Sequence, residues 1–258
     1  MGGRIDCYLD IVSYYSYLAF LDLVKNREAL ASHSVEVEFH PVLLGGINKG
    51  SGNKPPWTLP AKAVYGAYDA KRAIDRFPGL KISFPKDLMA VAHSVVPLRA
   101  LHFIKVTYPQ QTFETTLHYL MYRFWSAPNL DLSKAENVVK SLSEIPANFR
   151  GYLDGDIAST VRQPITAENS SSKPLFSPAE IQKIMQATSE SEFKDRLKDK
   201  TQEALDKGAF GAPWMWVTNS QGKGEPFFGS DRFDFIYRYL DLPVQRLALL
   251  PAKNEAKL

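Results

Sequence analysis

CYLDIVSYYSYLAF, Cys7 to Phe20, carries an apolar run that stops at Asp10, a turn that holds Ser13, and a helix-periodic segment that starts at once. Ile5 to Asp10 reads as a buried strand. Beyond Ser13, residues Tyr17, Phe20, Leu21 and Val24 recur at i, i+3, i+4 and i+7, which predicts an amphipathic helix running to about Leu30. A strand that turns directly into a helix leaves the first backbone N–H groups of that helix free, at the positive end of its dipole, beside the Ser13 hydroxyl. Such a place can hold an anion. Ser13 and Ser16 stand at the spacing of the cysteines in a C-x-x-C redox motif, but both are serine, and the one thiol of the chain lies upstream at Cys7. The turn suits stabilising a thiolate that another molecule brings.

Outward from this stretch, Val35, Val37 and Phe39 alternate with Glu36, Glu38 and His40, the period of a strand, which Pro41 ends. Strand, helix and strand at this spacing predict a parallel unit with a right-handed crossover. From Leu44 to Pro60 the chain is rich in Gly, Pro and Asn without periodicity, and reads as a loop. Helical patterns follow to about Gly208, the clearest at Leu117, Leu120, Met121 and Phe124. Ser133 with Glu136, and Ser177-Pro178 with Glu180, have the look of capped helix starts. Within this region Arg150 to Phe176 is aperiodic and predicts a long surface excursion.

Gly208-Ala-Phe-Gly-Ala-Pro213 then stops the last helix and opens an apolar run from Trp214 to Val217. Gln221-Gly222-Lys223-Gly224 signals a hairpin that ends at Phe227-Phe228. Gly229-Ser230-Asp231 should cap a final helix with Phe233, Ile236, Tyr237 and Leu240 on its inner face. The order is βαβ, helical insertion, ββα. It predicts an α/β chain, a thioredoxin-like fold with a large all-helical domain inserted after the second strand. The expected division is residues 1–48 with 207–245 as a discontinuous thioredoxin-like domain, 49–206 as the helical insertion, and 246–258 as a tail.

Composition bounds the function. The 258 residues are 45% hydrophobic and 23% charged, as in an ordinary globular protein with a sizeable core. The net charge of +3 comes without a block of Lys and Arg interleaved with aromatics, which argues against nucleic acid as a partner. No apolar run is long enough to span a bilayer, and residues 1–10 lack the features of a secretory signal, so no membrane partner is expected. A single cysteine excludes an internal disulfide framework. The histidines, His33, His40, His93, His102 and His118, show no metal-ligand spacing, and no metal is expected. Asn169-Ser170-Ser171 matches a glycosylation sequon that carries no meaning without export. The closing Ala256-Lys257-Leu258 is a variant of the S-K-L address and predicts a peroxisomal location, with mitochondrial or cytoplasmic locations as alternatives.

The motifs Asp10-Ile-Val-Ser13-Tyr-Tyr-Ser16, Ser51-Gly-Asn53-Lys-Pro-Pro56, Gly208-Ala-Phe-Gly-Ala-Pro213 and Phe228-Gly-Ser230-Asp231-Arg232, in that order, resemble kappa-class glutathione transferases. That class is grouped with 2-hydroxychromene-2-carboxylate isomerase and, more remotely, with DsbA-like disulfide oxidoreductases of the thioredoxin superfamily. The likeness runs from about Ile5 to about Leu240. It implies a glutathione site in which the Ser13 hydroxyl donates to the sulfur and serves as the catalytic group. Because thiols ionise near pH 8.5, a donor beside a helix start raises the fraction of nucleophilic thiolate at neutral pH. The resemblance places Tyr14, Tyr15, Asn53, Lys62, Ala212, Pro213, Ser230 and Asp231 around glutathione. Pro213 would be a cis-proline and Ala212 would pair with the cysteinyl backbone. Ser230 and Asp231 would receive the γ-glutamyl end, and Lys62 the glycyl carboxylate.

The chain departs from the class at two positions. Tyr14 stands where proline is usual, and Ala212 where a bulkier apolar residue is common. Tyr14 should alter packing at the mouth of the site. Trp57, Tyr65, Tyr68 and Trp214 are candidates for lining an apolar pocket. The implied activity is conjugation of glutathione, as co-substrate, to a small hydrophobic electrophile, with peroxide reduction as a further reaction and a homodimer as the assembly. Two alternatives stand beside it: a glutathione-dependent isomerase of hydroxychromene carboxylates, and a non-catalytic thioredoxin-like binding module. A disulfide oxidoreductase is disfavoured because Cys7 has no partner.

Overall fold

The computed structural model describes residues 2–154 and 173–245. Four strands form its sheet: β1 (Gly3–Leu9), β2 (Val35–Pro41), β3 (Trp214–Asn219) and β4 (Gly224–Phe228). Their order is β2-β1-β3-β4, with β1 parallel to β2 and antiparallel to β3, and β3 antiparallel to β4. Strand β1 is central and covered on both faces. Ile5, Cys7 and Leu9 are wholly buried in the main core, while Tyr8 points the other way into a smaller one. Arg4 and Asp6 interrupt the apolar run on the Tyr8 face, where Asp6 is paired with Arg4 and with His40 of β2.

Two helices follow β1: α1 (Tyr14–Lys25) and α2 (Arg27–Ser32). Among the described residues eight lie between β2 and β3: α3 (Leu44–Ser51), α4 (Pro60–Asp75), α5 (Leu88–Val91), α6 (Val95–Thr107), α7 (Gln110–Trp125), α8 (Ala135–Glu144), α9 (Pro178–Ala187) and α10 (Ser191–Asp206). Helix α9 packs on α6 and α8, and α10 packs on α3, α6 and β2. Helix α11 (Phe233–Tyr239) follows the hairpin. The fold is thioredoxin-like with helices inserted after the second strand. Helices α1, α6, α7 and α11 bury the main core, and α3 and α10 close the smaller one around Tyr8, Ile47, Ala204 and Trp214.

Several local expectations change. The first helix does not run unbroken to Leu30: Asn26 donates both its backbone N–H and its side-chain amide to the Asp22 carbonyl, and α2 starts afresh. The segment from Leu44 is a helix rather than a loop, although it contains Gly45, Gly46 and Gly50. Packing explains this. A Cβ on Gly46 would stand 3.0 Å from Thr201 Cγ2, and one on Gly50 would stand 2.5 Å from Leu205 Cδ1. These glycines let α3 lie against α10, and that burial outweighs their low helix propensity. The boundary expected at 48/49 falls within α3.

Ser133 does not cap α8. Its hydroxyl is bound to Asp131 at 2.5 Å and the helix begins at Ala135. Ser177 and Glu180 do form a capping box at the start of α9. Ser230 and Asp231 lie in the turn before α11, whose N-cap is Arg232 without a side-chain cap bond. Most of the expected excursion, the sequon at Asn169 and the Ala256-Lys257-Leu258 tail lie outside the described residues.

Candidate active site

The turn between β1 and α1 is fixed from below by Asp10. This carboxylate is fully buried, and its Oδ2 accepts from the Leu44 N–H at 2.8 Å and the Ser94 hydroxyl at 3.0 Å. Its Oδ1 accepts from the Val12 N–H at 3.3 Å, and its carbonyl accepts from the Ser13 N–H at 3.1 Å. One side chain thus ties the turn to the starts of α3 and α6. Burial pushes the Asp10 carboxyl up to about 6, against the pull of these donors. On the opposite side, the indole N–H of Trp125 donates to the Ile11 carbonyl at 2.8 Å.

Ser13 is the N-cap of α1 and is buried. Its hydroxyl oxygen accepts from the Ser16 N–H at 3.2 Å, the usual work of a capping serine. Its proton goes to the Ala212 carbonyl at 2.9 Å. The Ala212-Pro213 bond is cis, and the Pro213 carbonyl accepts from the Gly229 N–H at 3.2 Å. A hydroxyl donor, the first N–H groups of a twelve-residue helix and the backbone leading into β3 therefore meet at one point. Since a hydroxyl rotates to suit its strongest acceptor, an anion placed there can draw the Ser13 proton from Ala212. Ser16 is wholly buried and takes no part at the surface. Cys7 is also wholly buried, and burial pushes its thiol up, so it supplies no nucleophile.

The structure brings Ser13, Ala212, Pro213 and the Gly229–Asp231 turn together. Ser230 is buried, and Asp231 is exposed and paired with Arg232 at 2.8 Å. Asn53 joins them from beyond α3: its amide donates to the Phe210 carbonyl at 2.6 Å, two residues before Ala212. Lys62 stands exposed in the first turn of α4. Tyr14 is not at the mouth of the site. Its ring is buried against Phe84 and Trp125, and its hydroxyl donates to the Ala70 carbonyl of α4 at 2.9 Å. Tyr15 donates to Asp69 Oδ2 at 2.5 Å. Both tyrosines hold α4, and burial pushes both phenols up. Trp57, Tyr65 and Tyr68 are exposed, but Trp214 is buried in the smaller core, so the four do not line one pocket.

Sequence reasoning passed over two participants. Asp10 is legible as the end of a strand and the start of the Ser13 motif but not as the group that braces the turn, and Arg76, which closes α4, has no local signal at all. Its Nη1 donates to the Ser230 carbonyl at 2.5 Å. A hollow of about 460 Å³ lies elsewhere, beside the outer edge of β2 among Arg4, Arg27 and Glu38, and holds none of the groups around Ser13. Among the described residues no cluster of His, Cys, Asp or Glu could hold a metal ion, and no helix is long and apolar enough to cross a membrane.

A model of the DsbA-like thioredoxin domain matches residues 4–140 and 162–241. The chain belongs to this family. Within it, the chain is similar to human glutathione S-transferase kappa 1, at 27% identity over 239 residues that cover 92% of this chain and 90% of that protein. It is 26% identical to the Caenorhabditis elegans glutathione S-transferase kappa 1 over 242 residues, 93% of this chain and 92% of that one. Among solved structures the fold is similar to 2-hydroxychromene-2-carboxylate isomerase, with a TM-score of 0.65 at 17% identity over 92% of this chain and 94% of that one. It also resembles the cytosolic disulfide reductase DsbM from Pseudomonas aeruginosa with GSH, with a TM-score of 0.52 at 11% identity over 93% of this chain and all of that one, 100%. In this DsbA-like chain serines occupy both positions of the C-x-x-C spacing, so the family's scaffold is kept without a dithiol at the helix start.

Proposed function

We propose that this protein is a glutathione transferase of the kappa type, which holds the glutathione thiolate at the start of α1 and delivers it to a small apolar electrophile. The observation that carries this reading is the Ser13 hydroxyl, placed at the N-cap of α1 and 2.9 Å from the Ala212 carbonyl beside a cis-proline. With no thiol of its own at this point, the site is suited to stabilising a sulfur anion from a ligand. Asn53 lies along the Phe210–Ala212 backbone, and the Ser230–Asp231 turn lies next to Pro213. These are suitable places for the polar ends of a tripeptide. The exposed Trp57, Tyr65 and Tyr68 offer apolar surface to the second substrate. The working assembly in this reading is a homodimer.

Ser13→Ala tests the reading. It should raise the pH at which bound glutathione ionises and lower kcat/KM toward an aryl halide by roughly 10- to 100-fold, the worth of one charge-assisted hydrogen bond. An unchanged ionisation pH, followed through thiolate absorbance, would remove Ser13 from the chemistry. Assay of hydroxychromene carboxylate isomerisation on the same preparation separates transfer from isomerisation.

A further inference from the structure

Arg76 reaches two separate elements with one guanidinium. Nη1 donates to the Ser230 carbonyl at 2.5 Å, and Nη2 pairs with Asp22 of α1. The guanidinium also lies over the Phe77 ring, 5.6 Å from its centre. Asp22 is largely buried, and burial pushes its carboxyl up to about 6 even beside Arg76 and Lys25. The charged fork is therefore anchored on a group that costs free energy to keep ionised, which is unexpected for a pair of merely decorative surface charges.

The turn that Arg76 holds has few restraints of its own. Gly229 adopts φ 101°, a value that disfavours any side chain, and a Cβ there would stand 2.9 Å from Asp231 Oδ1. The helix that follows has no side-chain cap, and Asp231 pairs, among the described residues, with its neighbour Arg232. Among the described residues two hydrogen bonds tie the turn's backbone to other elements: the Gly229 N–H on the Pro213 carbonyl and Arg76 on the Ser230 carbonyl. The first fixes it to the cis-proline segment. The second fixes it to α1 through Asp22.

We propose that Arg76 is a positioning residue that sets the Ser230–Asp231 turn for the γ-glutamyl end of glutathione. This rests on the reading of the site as a glutathione site. Arg76 does not touch the ligand in this role; it holds the backbone between two groups that would. A planar fork can serve the carbonyl and the carboxylate together, whereas a lysine ammonium of similar reach would serve them less well.

The test compares two S-blocked ligands by calorimetric titration of the full chain: S-methylglutathione, and S-methylcysteinylglycine, which lacks the γ-glutamyl group. Arg76→Ala should weaken S-methylglutathione by about tenfold or more while the shorter ligand changes by less than about twofold. In turnover, KM for glutathione should rise in step with kcat almost unchanged, and Arg76→Lys should recover part of the loss. Asp22→Asn frees the fork from α1 and should weaken S-methylglutathione in the same direction by less than Arg76→Ala, with the shorter ligand again within about twofold; an affinity ratio unchanged from the parent would overturn the anchoring through Asp22. Equal weakening of both ligands in Arg76→Ala, or no weakening of either, would overturn the proposal. A parent protein that binds neither ligand would instead overturn the glutathione reading beneath it, a result visible before any variant is made.

Discussion

From Leu9 to Ser16 every side chain except that of Tyr15 is buried, whereas α4, running over the residues that follow Ser13, buries none of its sixteen. The two regions touch, yet they are held by different forces. The Ser13 turn rests on Asp10, Trp125 and the main core. Helix α4 lays only the half-buried Ala70, Ala73 and Ile74 on that core and is fastened besides by polar contacts from Tyr14, Tyr15 and Arg76. The difference suits the proposed chemistry. A donor that must meet a developing or resident anion gains from being fixed in advance, while a cover that must admit a ligand is drawn from the least stable part of the fold.

The largest expected effect breaks the fixed side of this comparison. Trp125→Ala removes a wholly buried ring that packs on Tyr14, Phe84 and Phe124 and an N–H that holds Ile11. Cavity formation at such a position should cost about 3–5 kcal/mol of global stability, read from the denaturant midpoint. A loss below about 1 kcal/mol would mean that the turn is not held by the core.

Asp10→Asn should act next. An amide cannot accept from all the donors around Asp10, and the group left unmatched should cost about 1–3 kcal/mol. The pH dependence gives a sharper signature. The folded carboxyl titrates at about 6, above the value near 4 expected in the unfolded chain. The native state therefore binds the extra proton, and the contribution of this group to stability falls as pH rises from about 4 to about 6. Asn has no such term, so the deficit of the variant should be greatest at the acid end of that window and shrink toward neutrality. Asp22 titrates in the same range in both proteins and cancels in the difference. A deficit independent of pH would mean that Asp10 is not the buried acid described here.

The same division decides what could be read from the sequence. The strand, turn and helix around Ser13, the β3–β4 hairpin and the Ser177 cap depend on residues close together in the chain, and their periodicity announces them. The glycines of α3 gave the opposite signal because their reason is Thr201 and Leu205 on another helix. Tyr14 looked like a change at a pocket mouth, since nothing local reveals that its ring turns inward beneath α4. Arg76 was illegible for the same cause: its partners Asp22 and Ser230 are 54 and 154 residues away. What remained hidden was the part of the site held by long-range polar contacts.

Tyr15→Phe is the smallest change and the most direct test of how α4 is held. It removes the hydroxyl that binds Asp69 at 2.5 Å and leaves the ring, which packs edge-on against Tyr14. Because the bond is only partly buried, its loss should be worth about 0.5–1.5 kcal/mol. If α4 opens independently of the core, that cost appears as faster native-state hydrogen exchange of its amides, with the global midpoint and the exchange of α1 unchanged. If α4 and the Ser13 turn instead form one cooperative unit, the global midpoint drops by the full amount and exchange in both helices rises together. The second result would erase the contrast between fixed donor and loose cover, and entry of the ligand would then require a wider opening than release of one helix.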